Sequence, residues 1–151
     1  EQALRKLVVD LGVEDRVEFV RQVPNREIHK HYQEADIFVM ATHYEGFCIP
    51  VLEAMAAGLP IVATDTGPIP EVLAGAGKVV AKDPRPFAQA LADLVADPEA
   101  RRALGTAARK RALDIDGSRM EEREGHLYTV LMQSRQNELE ALLSDSKRFV
   151  N

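Results

Sequence analysis

The feature that most constrains this chain is an alternation of short apolar runs with segments of helical period. Ile37-Phe38-Val39-Met40-Ala41 is unbroken by any polar residue, which suits a parallel strand buried on both faces. Pro60-Ile61-Val62-Ala63-Thr64 reads as the next strand and Lys78 to Ala81 as a weaker one. Val17, Phe19 and Val20 suggest an earlier short strand closed by Pro24. Between these runs, Asn25 is placed to cap a helix over Arg26 to Glu34. A second helix holds Pro50 in its first turn, runs through Val51, Leu52, Ala54, Met55 and Ala56, and stops at Gly58. Thr66-Gly67-Pro68 turns the chain into a short helix containing Glu71, Val72 and Leu73. Strands separated by helices predict βαβ units: an α/β fold with a parallel sheet flanked by helices.

After Ala81 only helices are predicted. Asp83-Pro84 and Asp97-Pro98 each pair a capping residue with proline at the first helical position. Phe87, Leu91, Leu94 and Val95 form one stripe, Leu104, Ala107 and Ala108 another, and a last helical segment carries Met120, Leu127, Val130 and Leu131. Residues 1–132 read as one domain and 133–151 as a polar C-terminal extension.

Composition narrows the function classes. With 19 basic against 24 acidic residues, the net charge of −5 argues against a general nucleic-acid surface. Glu53, Gly58 and Pro60 interrupt the longest apolar stretch, so no segment is expected to span a membrane. One cysteine among 151 residues forms no internal disulfide, and a reducing cytoplasmic setting is expected. Residue 1 is Glu, and the chain opens inside a helical pattern. Leu4, Leu7, Val8 and Leu11 have the spacing of a buried helix face, with Gly12 as its stop. The expectation is a chain cut from something longer.

In parallel α/β sheets, ligands bind beyond the carboxyl ends of the strands. The loops after Val20, Ala41 and Thr64 are therefore the places to look, and the second is the richest. His43-Tyr44-Glu45-Gly46-Phe47-Cys48-Ile49-Pro50 joins a strand end to a helix start. Free N–H groups and the helix dipole make such a start an anion site, and Gly46 allows the backbone to approach a ligand closely. Glu45 stands beside that site and Glu53 about one turn into the helix. Two carboxylates flanking an anion site suit a sugar, a diphosphate and a ribose. Glu53 also lies among Val51, Leu52, Ala54, Met55 and Ala56, so it is expected to be buried and to need a partner.

Glu45 to Pro60, with Asp15-Arg16-Val17, Tyr32, Ala35-Asp36, Thr64 and Glu71-Val72, resembles the C-terminal donor-binding domain of family 4 (group 1) retaining glycosyltransferases of GT-B fold. The shared signature is a pair of glutamates separated by seven residues, Glu45 and Glu53 here, and the resemblance runs roughly from Leu4 to Leu131. It implies a Rossmann-like domain, truncated at its N-terminus, of an enzyme that moves a sugar from a nucleotide diphosphate sugar to an acceptor with retention. Glu45 would take the catalytic position, holding donor sugar hydroxyls. Gly46, Phe47, Cys48 and Ile49 would line the sugar and phosphate subsite, the N–H groups of Val51 and Leu52 would face the diphosphate, and Glu53 would bind the ribose. Arg21 would lie in the loop bordering the base, and Glu71 would order the helix after Gly67. No cofactor beyond the donor and no metal is implied. The acceptor, whether sugar, lipid or small molecule, would sit on a preceding domain, so the isolated chain is expected to be inactive. The alternative is a non-catalytic nucleotide-sugar-binding module acting as a partner subunit. Two departures stand out: Cys48 and Arg21 replace residues that are most often glycine.

Other motifs compete less well. Asp65-Thr66-Gly67 matches an aspartic-protease triplet, but the β/α alternation contradicts an all-β protease, and Asp65 reads better as a cap. A glycosidase reading of Glu45 and Glu53 ignores the phosphate-suited helix start. His29 and His31, two apart on a helix, do not converge on one metal. Cys48 would need a base such as His43 to act as a nucleophile and reads better as a wall residue. His43 is a candidate lining residue of the crevice. Arg101, Arg102, Arg109, Lys110 and Arg111 read as a solvated helix face.

Overall fold

Two compact units, Glu1–Glu34 and Ala35 onward, make up the computed structural model, which describes residues 1–115 and Gln133. The expected segment around Met120 to Leu131 and all but the first residue of the expected extension lie outside the described residues.

The first unit contains helix α1 (Gln2–Asp10), a 3₁₀ turn (Glu14–Arg16) and helix α2 (Asn25–Glu34). As expected, α1 stops at Gly12, whose φ of +63° is the left-handed conformation that glycine adopts without strain. Its apolar stripe, expected to be buried, is mostly not: Leu4, Leu7 and Leu11 are each at least half exposed, and Val8 is half-buried. A 3.6-residue period marks a face that is able to be covered and does not say that anything covers it. The strand expected at Val17 to Val20 is also absent, because residues 17–24 form neither helix nor strand. Extended backbone becomes a strand only when a neighbour takes its N–H and C=O groups. Here the Phe19 ring instead lies under the Arg5 guanidinium, 4.3 Å from the ring centre.

The second unit is the α/β part. Its elements are β1 (Phe38–Met40), α3 (Ile49–Ala57), β2 (Ile61–Thr64), α4 (Ile69–Leu73), β3 (Lys78–Val80), α5 (Pro84–Ala96) and α6 (Pro98–Asp114). The sheet is parallel in the order β1-β2-β3, with Val39 opposite Val62 and Ala63 opposite Val79. Every residue of the central strand β2 is buried. The unbroken run of β1, expected to be buried on both faces, is not: Val39 is 48% exposed, because β1 lies at the edge of the described sheet. On one face Val62 packs with Ala90 and Leu94 of α5, joined by Phe87, Leu91 and Leu104. Ile61 and Ala63 alternate to the other face.

Both Asp-Pro pairs cap as expected. Asp83 accepts from the Arg85 N–H at 2.8 Å, and Asp97 from the Ala100 N–H at 2.9 Å. The basic run of α6 differs from its expected solvated role at both ends. Arg101 donates through Nη1 to the carbonyls of Leu94 and Val95, at 2.6 and 2.8 Å. Arg111 donates through Nε to the Val72 carbonyl at 3.1 Å and through Nη2 to that of Glu71 at 3.3 Å. The last carbonyls of α5 and α4 lack partners within their own helices, and a guanidinium satisfies several at once. Arg102, Arg109 and Lys110 are exposed.

Candidate functional site

The site grows from the carboxyl ends of β1 and β2. Ladder pairing of β1 stops at Met40, and two buried hydroxyls then take over the backbone of Thr42. Thr64 Oγ1 accepts from the Thr42 N–H at 3.1 Å and donates to the Thr42 carbonyl at 2.7 Å. Thr66 Oγ1 donates to the same carbonyl at 2.9 Å. Thr42 in turn donates from its own hydroxyl to the Tyr44 carbonyl at 2.7 Å, turning the chain toward Glu45.

Glu45 folds its carboxylate back over the residues that follow. Oε1 accepts from the N–H groups of Gly46, Phe47 and Cys48, at 3.0, 3.2 and 2.8 Å. Three successive N–H groups converging on one oxygen form an oxyanion nest, occupied here by the chain's own carboxylate. Among the described residues no hydrogen bond reaches Oε2. Glu45 and these N–H groups, expected to have separate ligand-binding roles, are joined to each other.

Cys48 completes the turn. Its φ of 53° and ψ of 43° are left-handed, and its side chain is 1% exposed. Glycine would suit this position, because the turn demands a conformation that costs glycine nothing and other residues about 1–2 kcal/mol, a cost that Cys48 carries. Burial pushes the thiol pKa up, and the Glu45 charge adds to that shift. A thiol held neutral is a wall residue and not an activated nucleophile.

Helix α3 starts at Ile49 with Pro50 in its first turn and ends at Gly58, as expected. The N–H groups of Val51 and Leu52 do not face an open site. They donate to the Cys48 carbonyl at 2.9 and 3.3 Å, because the first turn closes on its own cap residue. Pro50 has no N–H, so among the described residues the Ile49 N–H is the group at this helix start without a protein acceptor. Glu53 is exposed, not buried. Val51, Ala54 and Met55 occupy the buried face of α3, and the helical period turns Glu53 away from it.

Phe47 and Ile49 are 68% and 57% exposed, and Tyr44 is 85% exposed, so the loop carries an apolar rim. His43 lines a cavity of about 390 Å³ with Ala41, Thr42, Lys82, Phe87 and Leu91. Lys82 Nζ donates to the His43 carbonyl at 3.4 Å. Arg21 belongs to the first unit and pairs with the Glu1 carboxylate. His29 and His31 are exposed on α2. Asp65 does not cap α4, whose N-cap is Pro68, and its triplet sits at the end of a parallel strand. Glu71 lies in the first turn of α4.

Sequence reading missed the support beneath the loop. Gly67 has a φ of +52°, and a Cβ there would stand 2.4 Å from the Glu45 carbonyl oxygen. Thr66, 4% exposed, is the other half of that support. A polar residue just past a buried strand was the available signal.

Known proteins are similar to this chain in sequence and in fold. The family model described as glycosyl transferases group 1 matches residues 1–111. A GDP-mannose-dependent alpha-(1-6)-phosphatidylinositol monomannoside mannosyltransferase of Mycolicibacterium smegmatis is 40% identical over 123 residues, covering 75% of this chain and 32% of the relative. A D-inositol 3-phosphate glycosyltransferase of Corynebacterium jeikeium is 35% identical over 134 residues, covering 86% of this chain and 32% of its own length. The chain thus spans about a third of the length of these curated relatives. Among solved structures, sucrose-phosphate synthase from Thermosynechococcus elongatus matches with a TM-score of 0.77 at 28% identity, over 88% of this chain and 34% of that one. The C-terminal domain of a group 1 glycosyl transferase from Francisella tularensis matches with a TM-score of 0.69 at 29% identity, over 76% of this chain and 60% of that one.

Proposed function

The chain belongs to the group 1 glycosyl transferases, and from that premise we propose that it is the donor-binding part of a retaining enzyme using a nucleotide diphosphate sugar. The observation that carries this reading is the Glu45 carboxylate, held by three N–H groups through one oxygen while the other has no protein partner among the described residues. A carboxylate fixed in this way accepts hydrogen bonds from sugar hydroxyls without first losing side-chain freedom. Exposed Glu53, one turn along α3, is placed for the vicinal hydroxyls of a ribose. The open Ile49 N–H and the positive end of the α3 dipole supply stabilisation for the diphosphate.

In the proposed transfer, the bond from the anomeric carbon to the diphosphate oxygen breaks and a bond to the acceptor oxygen forms on the same face. The acceptor proton passes to the departing phosphate. The acceptor and further phosphate ligands come from parts of the protein outside this chain. Among the described residues no helix is long and apolar enough to cross a membrane. The free, buried Cys48 suits a reducing cytoplasmic setting.

The mannosyltransferase relative makes GDP-mannose the first donor to test. Calorimetric titration with GDP-mannose, GDP, UDP and ADP is expected to show binding of at least one. Glu53→Ala weakens every nucleotide by about tenfold, the effect of a lost charge-assisted hydrogen bond. Glu45→Ala weakens GDP-mannose more than GDP. Equal affinities for wild type and both variants would sink the assignment.

A further inference from the structure

The loop that carries Glu45 has few holds of its own. Tyr44 and Phe47 point into solvent, Gly46 has no side chain, and β1 ends before the loop begins. What places it is a neighbouring stretch of chain, Thr64 to Gly67, just past β2. Three separate contacts run from one to the other. The Thr64 hydroxyl bonds both backbone groups of Thr42 at 3.1 and 2.7 Å, and the Thr66 hydroxyl bonds the Thr42 carbonyl at 2.9 Å. Bare Gly67 backbone lies against the Glu45 carbonyl, where a Cβ would stand at 2.4 Å. Thr64 and Thr66 are 5% and 4% exposed, so water does not replace their hydroxyls.

We infer that the Thr64–Gly67 segment is the template on which the Glu45 loop is laid, and that Thr64 and Thr66 are positioning residues for donor binding. The donor part rests on the proposed function; the template part does not. The reasoning is geometric. β2 is the fully buried central strand and the most constrained element of the sheet, and its last residue is Thr64. A hydroxyl extends the register of β2 to Thr42 beyond the point where ladder pairing ends. Thr42 then sets the turn through the Tyr44 carbonyl. The N–H nest closes on Glu45 and Cys48. Displacement at Thr42 therefore travels to both the carboxylate and the buried thiol.

Cys48 is the single cysteine, and it provides a reporter that needs no ligand. Alkylation of the full chain by iodoacetamide under native conditions measures how often the loop opens. Thr66→Val, which keeps the shape and loses the hydroxyl, is expected to speed alkylation by about fivefold to tenfold, the effect of one buried hydrogen bond, and Thr64→Val, which loses two to Thr42, by more than Thr66→Val. Thr66→Ser keeps the hydroxyl and is expected to stay within about twofold of wild type. Urea unfolding of each variant separates local from global opening. The template is overturned if the valine variants alkylate like wild type, if serine behaves like valine, or if the acceleration equals the loss of global stability. In parallel, Thr66→Val is expected to weaken GDP-mannose more than GDP. Should wild type bind no nucleotide, the proposed function fails while the alkylation result still decides the template. Should wild type bind and Thr66→Val bind identically, the positioning role for the donor is overturned.

Discussion

Gly105 of α6 meets the carbonyl of Gly58, the residue that ends α3, so closely that a Cβ on Gly105 would stand 2.2 Å from that oxygen. Gly58 is itself left-handed, at φ +78°. Two helix segments therefore approach through bare backbone. The end of the helix that begins at the Glu45 loop is fixed by a residue nearly fifty positions later in the chain.

Gly105→Ala tests that contact. Alanine is favoured over glycine inside a helix by about 1 kcal/mol. Overpacking at a backbone contact opposes it with about 1–3 kcal/mol. The net expectation is destabilisation, read as a lower urea midpoint at unchanged slope. A higher midpoint would show that α6 does not approach Gly58 so closely.

The two ends of the basic run give a contrast. Arg101→Ala removes two hydrogen bonds to the last carbonyls of α5 and is expected to cost about 1.5–3 kcal/mol. Arg102→Ala removes an exposed pair with Glu99, whose side chains are 68% and 81% exposed, and is expected to change stability by less than about 0.5 kcal/mol. Equal effects in thermal or urea unfolding would refute the capping role of Arg101.

Cys48 sets a pH dependence. Its thiol pKa is raised in the fold by burial and by Glu45. The folded state therefore retains the proton at a pH where the unfolded chain releases it. The resulting stabilisation is fully present below the ordinary thiol value of about 8.5 and is lost as pH rises through the folded value. The stability difference between wild type and Cys48→Ala should be flat from neutral to mildly alkaline pH, then move against wild type. A difference that stays flat into strongly alkaline solution would contradict the buried neutral thiol.

Glu45→Ala should leave three N–H groups without their acceptor. Hydrogen exchange at the Gly46, Phe47 and Cys48 amides is expected to quicken by about tenfold or more, the effect of losing a charged acceptor. Amides of β2 should be unaffected. Glu45→Gln, which keeps a neutral acceptor, should fall between the two. Unchanged exchange at all three amides in Glu45→Ala would mean that the nest does not form in solution.

Local chemistry was legible wherever it is decided within a few residues. The Asp83 and Asp97 caps, the stop at Gly12, Pro50 in the first turn of α3 and the buried run of β2 follow from dihedral and hydrogen-bond preferences of adjacent residues. The Glu45 to Pro60 stretch carried the resemblance to group 1 glycosyltransferases, and the family match over residues 1–111 bears that resemblance out. Readings failed where a partner distant in sequence decides. Leu4, Leu7 and Leu11 have helical period yet are exposed among the described residues, and Val17 to Val20 is not a strand. Glu53 is a local case instead: it sits in an apolar stretch yet is exposed, because burial follows the helix period and not the average of neighbouring residues.

By itself, the sequence determined the alternation of parallel strands and helices, the ends of most helices and the location of the Glu45 loop. These depend on apolar patterning and on capping groups close to the atoms they satisfy. Only the tertiary structure decided what that loop is. It alone brought the Glu45 carboxylate onto three N–H groups, put Cys48 in a left-handed turn, and laid Thr42 to Glu45 against Thr64 to Gly67. The first two are local geometries that residue identity leaves open among several turns, and the last depends on the distance between segments about twenty residues apart, where a residue's identity does not report which backbone it will meet.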